Sequence, residues 1–361
     1  MAFRILVINP GSTSTKIAIY DGETEVVRMT LKHSEADLSQ FLAMADQHEY
    51  REQFVLKFLE ENNIPLRSIN AVVGRGGLLN PLPGGTYKIN TAMCDFLKNA
   101  KRGEHASNLG SLIAKSIADK INVPSFIVDP VVVDELQKEA RYAGHPVFER
   151  ISIFHALNQK AVARLVASKL GKKYEDCSFI VAHIGGGISV GAHCEGKVVD
   201  VNNALDGDGP FSAERSGGLP TGQLVDVCFS GKYTKQDVKK MLKGKGGVVA
   251  YLGTNDMFDV EKRIDNKDEK ALEVFNAMCY QISKEIGACA AVLGGKIDNI
   301  IITGGVANDK RLVDYISNKV GFIAPIVVYP GEEEMRPLAF GALRVLNGEE
   351  KAKEYIQTKE S

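Results

Sequence analysis

Two stretches of this chain collect the residue types that a phosphate group needs. One is Asn9-Pro10-Gly11-Ser12-Thr13-Ser14-Thr15-Lys16, behind the apolar run Ile5 to Ile8. The other is His183-Ile184-Gly185-Gly186-Gly187-Ile188-Ser189, behind Phe179 to Ala182. They match without a gap: 183 − 9, 185 − 11, 189 − 15 and 196 − 22 all give 174, the last at the turns Asp21-Gly22 and Glu195-Gly196. A phosphate takes several donors at about 3 Å. Backbone N–H groups supply them where glycine lets the chain come close. Ser12 and Ser14 add hydroxyls, Lys16 a cation, and Asn9 an amide to orient substrate or phosphate. One such hairpin alone is an ordinary turn. Two in register are expected to hold one polyphosphate from opposite walls of a cleft.

A third glycine element follows the buried run Asn299 to Thr303: Gly304-Gly305, then Asn308, then helical apolar spacing at Leu312, Val313 and Ile316. A strand passing through two glycines into a helix lays bare backbone against a base, its ribose or its phosphates. Gly191 to Lys197 mimics a Walker loop, but Val198 stands where a magnesium-binding hydroxyl belongs, and the segment reads as part of the second hairpin.

Charged residues stand where strands or short elements end, as Arg75, Asp129, His155, Arg215 and the run Glu332-Glu333-Glu334. Ends of strands line the crevice of open α/β sheets. Together these groups suit phosphoryl transfer. Arg and His donors stabilise the equatorial oxygens of the moving phosphoryl group. Mg²⁺ takes carboxylates, which suits Asp129 and one of the three glutamates.

The elements needed to position these residues alternate between strand-like and helix-like. Helices are expected over roughly 37–62, 107–121 with Ser107 as its cap, 154–170, 309–316 and 269–293, with a closing helix from Ala339. Residues 78–87, with Pro81, Pro83 and Gly84-Gly85, read as a loop, and 205–222 as a long glycine-rich acidic loop. The reading is an α/β protein of two similar lobes, 1–149 with 337–361 and 150–336, around a nucleotide-binding cleft. The element order resembles the actin-like ATPase fold, in which two ribonuclease-H-like domains each contribute a phosphate hairpin.

Length and charge set bounds. A chain of 361 residues is too long for one small core. Lys and Arg total 44 against 45 acidic residues, so there is no electrostatic case for nucleic acid or a membrane surface. No apolar run nears the ~20 residues of a membrane span, and a strand begins within three residues of the start, so a cytoplasmic protein is expected. The six scattered cysteines read as reduced thiols.

With these motifs in view, the chain resembles the acetate and butyrate kinase family, over nearly its whole length. Residues 7–16 and 183–189 resemble the two family signatures. The segments 74–79 with 83–87, 152–160 and 329–334 resemble the butyrate kinase branch. The resemblance implies an ATP-dependent, Mg²⁺-requiring kinase of a short-chain carboxylate, with butanoate and ATP giving butanoyl phosphate and ADP. Isobutyrate and other branched acids, propionate or acetate are alternative substrates, and a non-metabolic actin-like ATPase is a remoter one. It also implies roles. Asn9, Ser12, Ser14 and Lys16 serve the first hairpin, and His183, Gly185, Gly186 and Gly187 the second. Gly304, Gly305 and Asn308 meet the nucleoside. Arg75 and Arg215 hold carboxylate and phosphoryl group, His155 stabilises the transition state, and His105 matches a family active-site histidine. Asp129 and Glu333 serve magnesium. Gly76-Gly77, where acetate kinases tend to carry valines, implies a wider acyl pocket. A homo-oligomer, dimer or higher, is expected.

Overall fold

The computed structural model describes residues 2–357. Its strands are β1 (Arg4–Pro10), β2 (Ser14–Asp21), β3 (Thr24–Lys32), β4 (Ala71–Gly74), β5 (Thr86–Lys88), β6 (Ser125–Val128), β7 (Ser178–Ile184), β8 (Ile188–Cys194), β9 (Lys197–Val201), β10 (Asn299–Gly304), β11 (Ile326–Pro330) and β12 (Lys353–Glu354). One sheet has the order β12-β5-β6-β4-β1-β2-β3, the other β11-β10-β7-β8-β9. The chain divides into two compact units, Met1–Val133 with Glu333–Ser361 and Asp134–Glu332. Each contains one of the sheets.

The two hairpins hold the same place in their own sheets. β1 lies between antiparallel β2 and parallel β4; β7 lies between antiparallel β8 and parallel β10. A strand covered on both faces must be apolar throughout, and Ile5 to Ile8 and Phe179 to Ala182 are all fully buried. The pairing register amends the repeat, however. Asn9 pairs with Lys16, but His183 pairs with Ser189, so beyond the turn the offset is 189 − 16 = 173. The physical cause is loop closure. Gly11 N donates to Ser14 O at 2.7 Å, whereas Gly185 N donates to Gly187 O at 3.1 Å. Three successive glycines close the second turn with one residue fewer.

In the first unit the helix Asn108–Ile121 packs on β4 and β1, and the helix Met335–Leu346 packs on β1 and β6. Helix and strand touch backbone to backbone: a Cβ on Gly74 would lie 2.1 Å from Gly110 O, and one on Gly110 2.3 Å from Arg75 O. This close approach fixes the main chain that carries Arg75. In the second unit the strand alternation sorts the core. Ile180, Ala182 and Ile184 pack with Phe275, Met278 and Ile282 of the helix Glu269–Val292. Phe179 and Val181 pack with Ala163, Val166 and Ala167 of the helix Ala156–Lys169.

Several expected elements differ. The helix expected over 37–62 is split into Glu35–Leu38, the 3-10 turn Met44–Gln47 and His48–Glu61. Ser34 caps the first piece through Asp37 N, and Asp46 accepts from Ala43 N, so local side-chain bonds interrupt the run. Ser107 occupies the cap position of its helix but has helical backbone angles and makes no capping bond. Its hydroxyl lies 2.7 Å from His105 Nδ1 instead. Residues Thr86 and Tyr87, read as loop, lie in β5. The helix expected from Asp309 starts at Lys310 with Asp309 as its cap and runs to Val320. The closing helix begins at Met335, four residues before Ala339, because Glu333 accepts from Met335 N and Arg336 N. The helix expected over 154–170 begins at Ala156, which leaves His155 at the cap position.

Candidate functional site

In the first unit the strand ends gather Asn9, Arg75 and Glu334. Asn9 follows the apolar run of β1 and is itself buried. Its Nδ2 donates to Glu334 Oε2 at 2.6 Å, and its Oδ1 accepts from Arg75 Nη1 at 3.4 Å. Arg75 forms an ion pair with Glu334. Arg75 follows β4, and its N–H continues the ladder to Ile8 O at 2.9 Å. The three glutamates that the sequence left equivalent therefore do three different things. Glu332 Oε1 lies 3.1 Å from His183 Nε2. Glu333 caps the closing helix and accepts from Arg28 Nη2 at 2.8 Å. Glu334 meets Asn9 and Arg75.

The first turn rests on a residue that the sequence reading missed. Arg51 is fully buried. Its Nη1 donates to Gly11 O at 2.7 Å and Ser14 O at 3.1 Å, and its Nη2 to Ser12 O at 2.9 Å. Gln47 Oε1 accepts from Nε and Nη2. The guanidinium thus braces the main chain of the loop from beneath, while Ser12 and Lys16 stay exposed and Ser14 half-buried. Burial pushes the Arg51 pKa down. The neighbouring His33 imidazole, 2.8 Å from Thr15 Oγ1, is pushed down to about 4 by its own burial and then by the Arg51 charge. One signal was available in the sequence. Arg51, Val55, Phe58 and Leu59 share one helix face, and a charge on an apolar face needs a polar partner.

Asp129 directly follows β6 with φ +36°, an uncommon left-handed conformation for a side-chain-bearing residue. Its Oδ1 accepts from Gly85 N at 2.6 Å, and its N–H donates to Gly85 O at 3.0 Å. Strain held by a surrounding framework of this kind clusters at functional positions. His105 is exposed, and its Nδ1 accepts from Ser107 N at 3.2 Å.

The glycines beside Arg75 do not enlarge a pocket. A Cβ on Gly76 would lie 2.5 Å from Pro130 Cβ, and one on Gly77 2.4 Å from Asn108 Oδ1. Neighbouring atoms already fill the space that the missing side chains leave. This corrects the inference of a wider acyl site from Gly76-Gly77.

The second unit gathers His155, His183, Arg215, Glu332 and the turn Gly185 to Gly187. His155 and His183 stack, with ring centroids 3.8 Å apart and planes 11° from parallel. His183 Nδ1 lies 2.8 Å from Asn158 Oδ1, and His155 Nδ1 lies 2.9 Å from Ser189 Oγ. Arg215 Nη1 donates to Ala204 O at 2.6 Å, while its buried Nε–H has no hydrogen-bond partner among the described residues. A Cβ on Gly187 would fall 2.0 Å from Arg215 Nη1, so glycine is required for the guanidinium to lie over the turn. A Cβ on Gly185 would meet Glu332 Oε1 at 2.3 Å, whereas at Gly186 nothing lies within 4 Å. Burial pushes the Arg215 pKa down, so an arriving anion would stabilise its charge. Gly304, at φ +96°, presses on the end of β7: a Cβ there would lie 2.2 Å from Ile184 O. Gly305 and Asn308 are exposed beside it and joined by a bond from Asn308 Nδ2 to Gly305 O at 2.8 Å.

Each unit thus presents bare turn backbone, an arginine and polar strand ends, an anion-binding chemistry. Among the described residues no group of three or more His, Cys, Asp or Glu side chains could hold a metal ion. No described helix is long and apolar enough to cross a membrane.

Comparison with known proteins follows the same line. Residues 142–324 match the model of the Acetokinase family. Butyrate kinase 2 of Clostridium acetobutylicum is 56% identical over 355 residues, spanning 98% of this chain and all of that protein. The acetate kinase of Porphyromonas gingivalis superposes with a TM-score of 0.80 at 19% identity, over 96% of this chain and all of its own. A propionate kinase of Francisella tularensis superposes at 0.71 with 18% identity, over 93% of this chain and 98% of its own. These two likenesses support the actin-like ATPase fold.

Proposed function

This chain belongs to the acetokinase family, and from that premise we propose that it transfers the γ-phosphoryl group of ATP to butanoate, giving butanoyl phosphate and ADP. The observation that carries the choice of substrate is the 56% identity, end to end, with a butyrate kinase. A carboxylate oxygen attacks the γ-phosphorus, and the bond to the β-phosphate oxygen breaks. Carboxylic acids titrate near pH 4–5, so the nucleophile is already ionised at pH 7 and needs no general base. Catalysis is then positioning and charge stabilisation.

In this reading Ser12, Ser14, Lys16 and the amides of the first turn take phosphate oxygens, with Arg51 keeping that turn in shape. Asn9 and Arg75 orient the carboxylate and the phosphoryl group. Arg215, with its unpartnered Nε–H, takes charge on the transferring phosphoryl oxygens, and His155 donates a hydrogen bond to them. His183 and Gly185 to Gly187 hold the phosphate tail, and Gly304, Gly305 and Asn308 the nucleoside. His105 is assigned to the same site by its place in the family motif alone.

The donor chemistry fits Mg²⁺, since Asp129 and Glu334 are hard carboxylates of one unit. Held by these carboxylates, the ion would supply positive charge against the phosphate oxygens. Glu334 is chosen because it meets Asn9 and Arg75. Glu333, the glutamate expected from the sequence, is engaged by Arg28 and the closing helix.

A homo-oligomer belongs to the same reading. The helix Thr221–Phe229 has no buried residue, and Val225, Phe229 and Tyr233 stand exposed near it. A second copy would cover them, and Phe229→Asp would lower the mass read by light scattering. We place the protein in the cytoplasm. The test of function is trapping of acyl phosphate as hydroxamate with ATP-Mg²⁺ and acids of two to six carbons. Efficiency highest at four carbons is expected. Comparable efficiency on acetate and butanoate would remove the chain-length assignment, and a maximum at propionate or a branched acid would replace it.

A further inference from the structure

The second unit contains a buried hydrogen-bond chain that ends on His155. Tyr174 OH lies 2.7 Å from His193 Nδ1, and His193 Nε2 lies 3.0 Å from Gln159 Oε1. Gln159 Nε2 donates to Ser189 Oγ at 2.8 Å and to Ser189 O at 3.0 Å. Ser189 Oγ lies 2.9 Å from His155 Nδ1. His193, Gln159 and Ser189 are each fully buried. Gln159 sits one turn into the helix that His155 starts, and its N–H donates to His155 O at 2.9 Å.

The direction of every bond follows from one group that cannot change its role. The main-chain carbonyl of Ser189, on β8, only accepts. The Gln159 amide must therefore turn its NH₂ toward Ser189 and its oxygen toward His193. His193 then carries hydrogen on Nε2, and its Nδ1 accepts from the Tyr174 hydroxyl. Ser189 Oγ accepts an N–H from Gln159 at 2.8 Å and the main-chain N–H of His155 at 3.5 Å, which occupies both of its lone pairs, so its own hydrogen goes to His155 Nδ1. His155, in its neutral form, then carries its hydrogen on Nε2. The ring plane is held as well, by the parallel stack on His183, which Asn158 anchors from the adjacent position of the same helix.

We propose that Gln159 is a positioning residue, the centre of a buried chain Tyr174–His193–Gln159–Ser189 that decides which ring nitrogen of His155 carries its hydrogen. The inference rests on the role proposed for His155 above. A donor aimed where charge develops contributes only if the hydrogen is on the nitrogen that faces the charge. The wrong tautomer leaves substrate binding intact and removes that stabilisation.

The test is a long-range ¹H–¹⁵N correlation spectrum of the full chain labelled at its seven histidines, with His155 assigned by its loss in His155→Ala. The expected wild-type spectrum has Nδ1 of His155 without hydrogen and Nε2 with it. Gln159→Glu keeps the shape but replaces the donor to Ser189 by an acceptor. It should move the hydrogen to Nδ1 and lower kcat by about 10²-fold, with KM for ATP and butanoate unchanged. Hydrogen on Nδ1 in the wild type overturns the proposal without any variant. So does an unchanged kcat in Gln159→Glu when His155→Ala loses turnover. Full turnover in His155→Ala would instead remove the role of His155 itself, and the inference with it.

Discussion

Arg51 Nη1 donates to the carbonyl oxygen of Gly11 at 2.7 Å, so a fully buried cation braces the loop proposed to receive an anion. Arg51→Met keeps the length of the stem and removes every bond to the loop. Buried acceptors left without donors each cost about 1–3 kcal/mol. The expected result is a loss of roughly 2 kcal/mol in denaturant-monitored stability, together with a rise in KM for ATP. A variant with native KM would show that the loop keeps its shape alone.

The His33 imidazole makes stability depend on pH. Its folded pKa, about 4, lies below the ordinary histidine value of 6.5. Between these values the unfolded chain binds the proton and the folded chain does not. The contribution is therefore fully present above pH 6.5 and is lost as pH falls through 4. His33→Gln should flatten the slope of stability against pH in this window, read by urea unfolding at fixed steps. An unaltered slope would mean that other groups carry it.

Arg75 pairs with Glu334, Arg215 lies over the turn at Gly187, and Arg215 Nε–H has no acceptor among the described residues. Removal of a transition-state arginine typically costs ~10³ in turnover. Arg75→Ala and Arg215→Ala should each lose about that factor with an unchanged circular dichroism spectrum. Near-native rates in both would end their assignment.

Glu334 and Glu333 separate in a magnesium titration. Glu334→Gln should raise the Mg²⁺ concentration needed for half-maximal rate and lower kcat. Glu333→Gln should chiefly lower the melting temperature, because Glu333 caps the closing helix and pairs with Arg28. The reverse pattern would return the metal to Glu333.

What the sequence made legible was what depends on residue type and period. β1 and β7 were visible as runs too apolar for anything but doubly covered strands, and Asn9, Arg75, His155 and Arg215 stood out as polar groups where strands or short elements end or in glycine-rich loops. Arg51 was hidden because its partners are main-chain carbonyls, which have no letter in the sequence. The glycines at 76 and 77 misled for a related reason. A missing side chain reads as room, but Pro130 and Asn108, distant in sequence, occupy it. The one-residue slip between the hairpins is a matter of turn closure, which spacing alone does not report. Which glutamate meets Asn9 depended on where the closing helix begins, and a helix start is set by its cap rather than by its apolar stripe.

The central claim is that a carboxylate oxygen, and not water, attacks the γ-phosphorus. ³¹P NMR of the reaction of ATP-Mg²⁺ with butanoate carrying ¹⁸O in both carboxyl oxygens reads this directly. The account predicts an acyl phosphate signal shifted by one bridging ¹⁸O, formed in step with ADP. Inorganic phosphate as the sole new species, free of ¹⁸O, would contradict it.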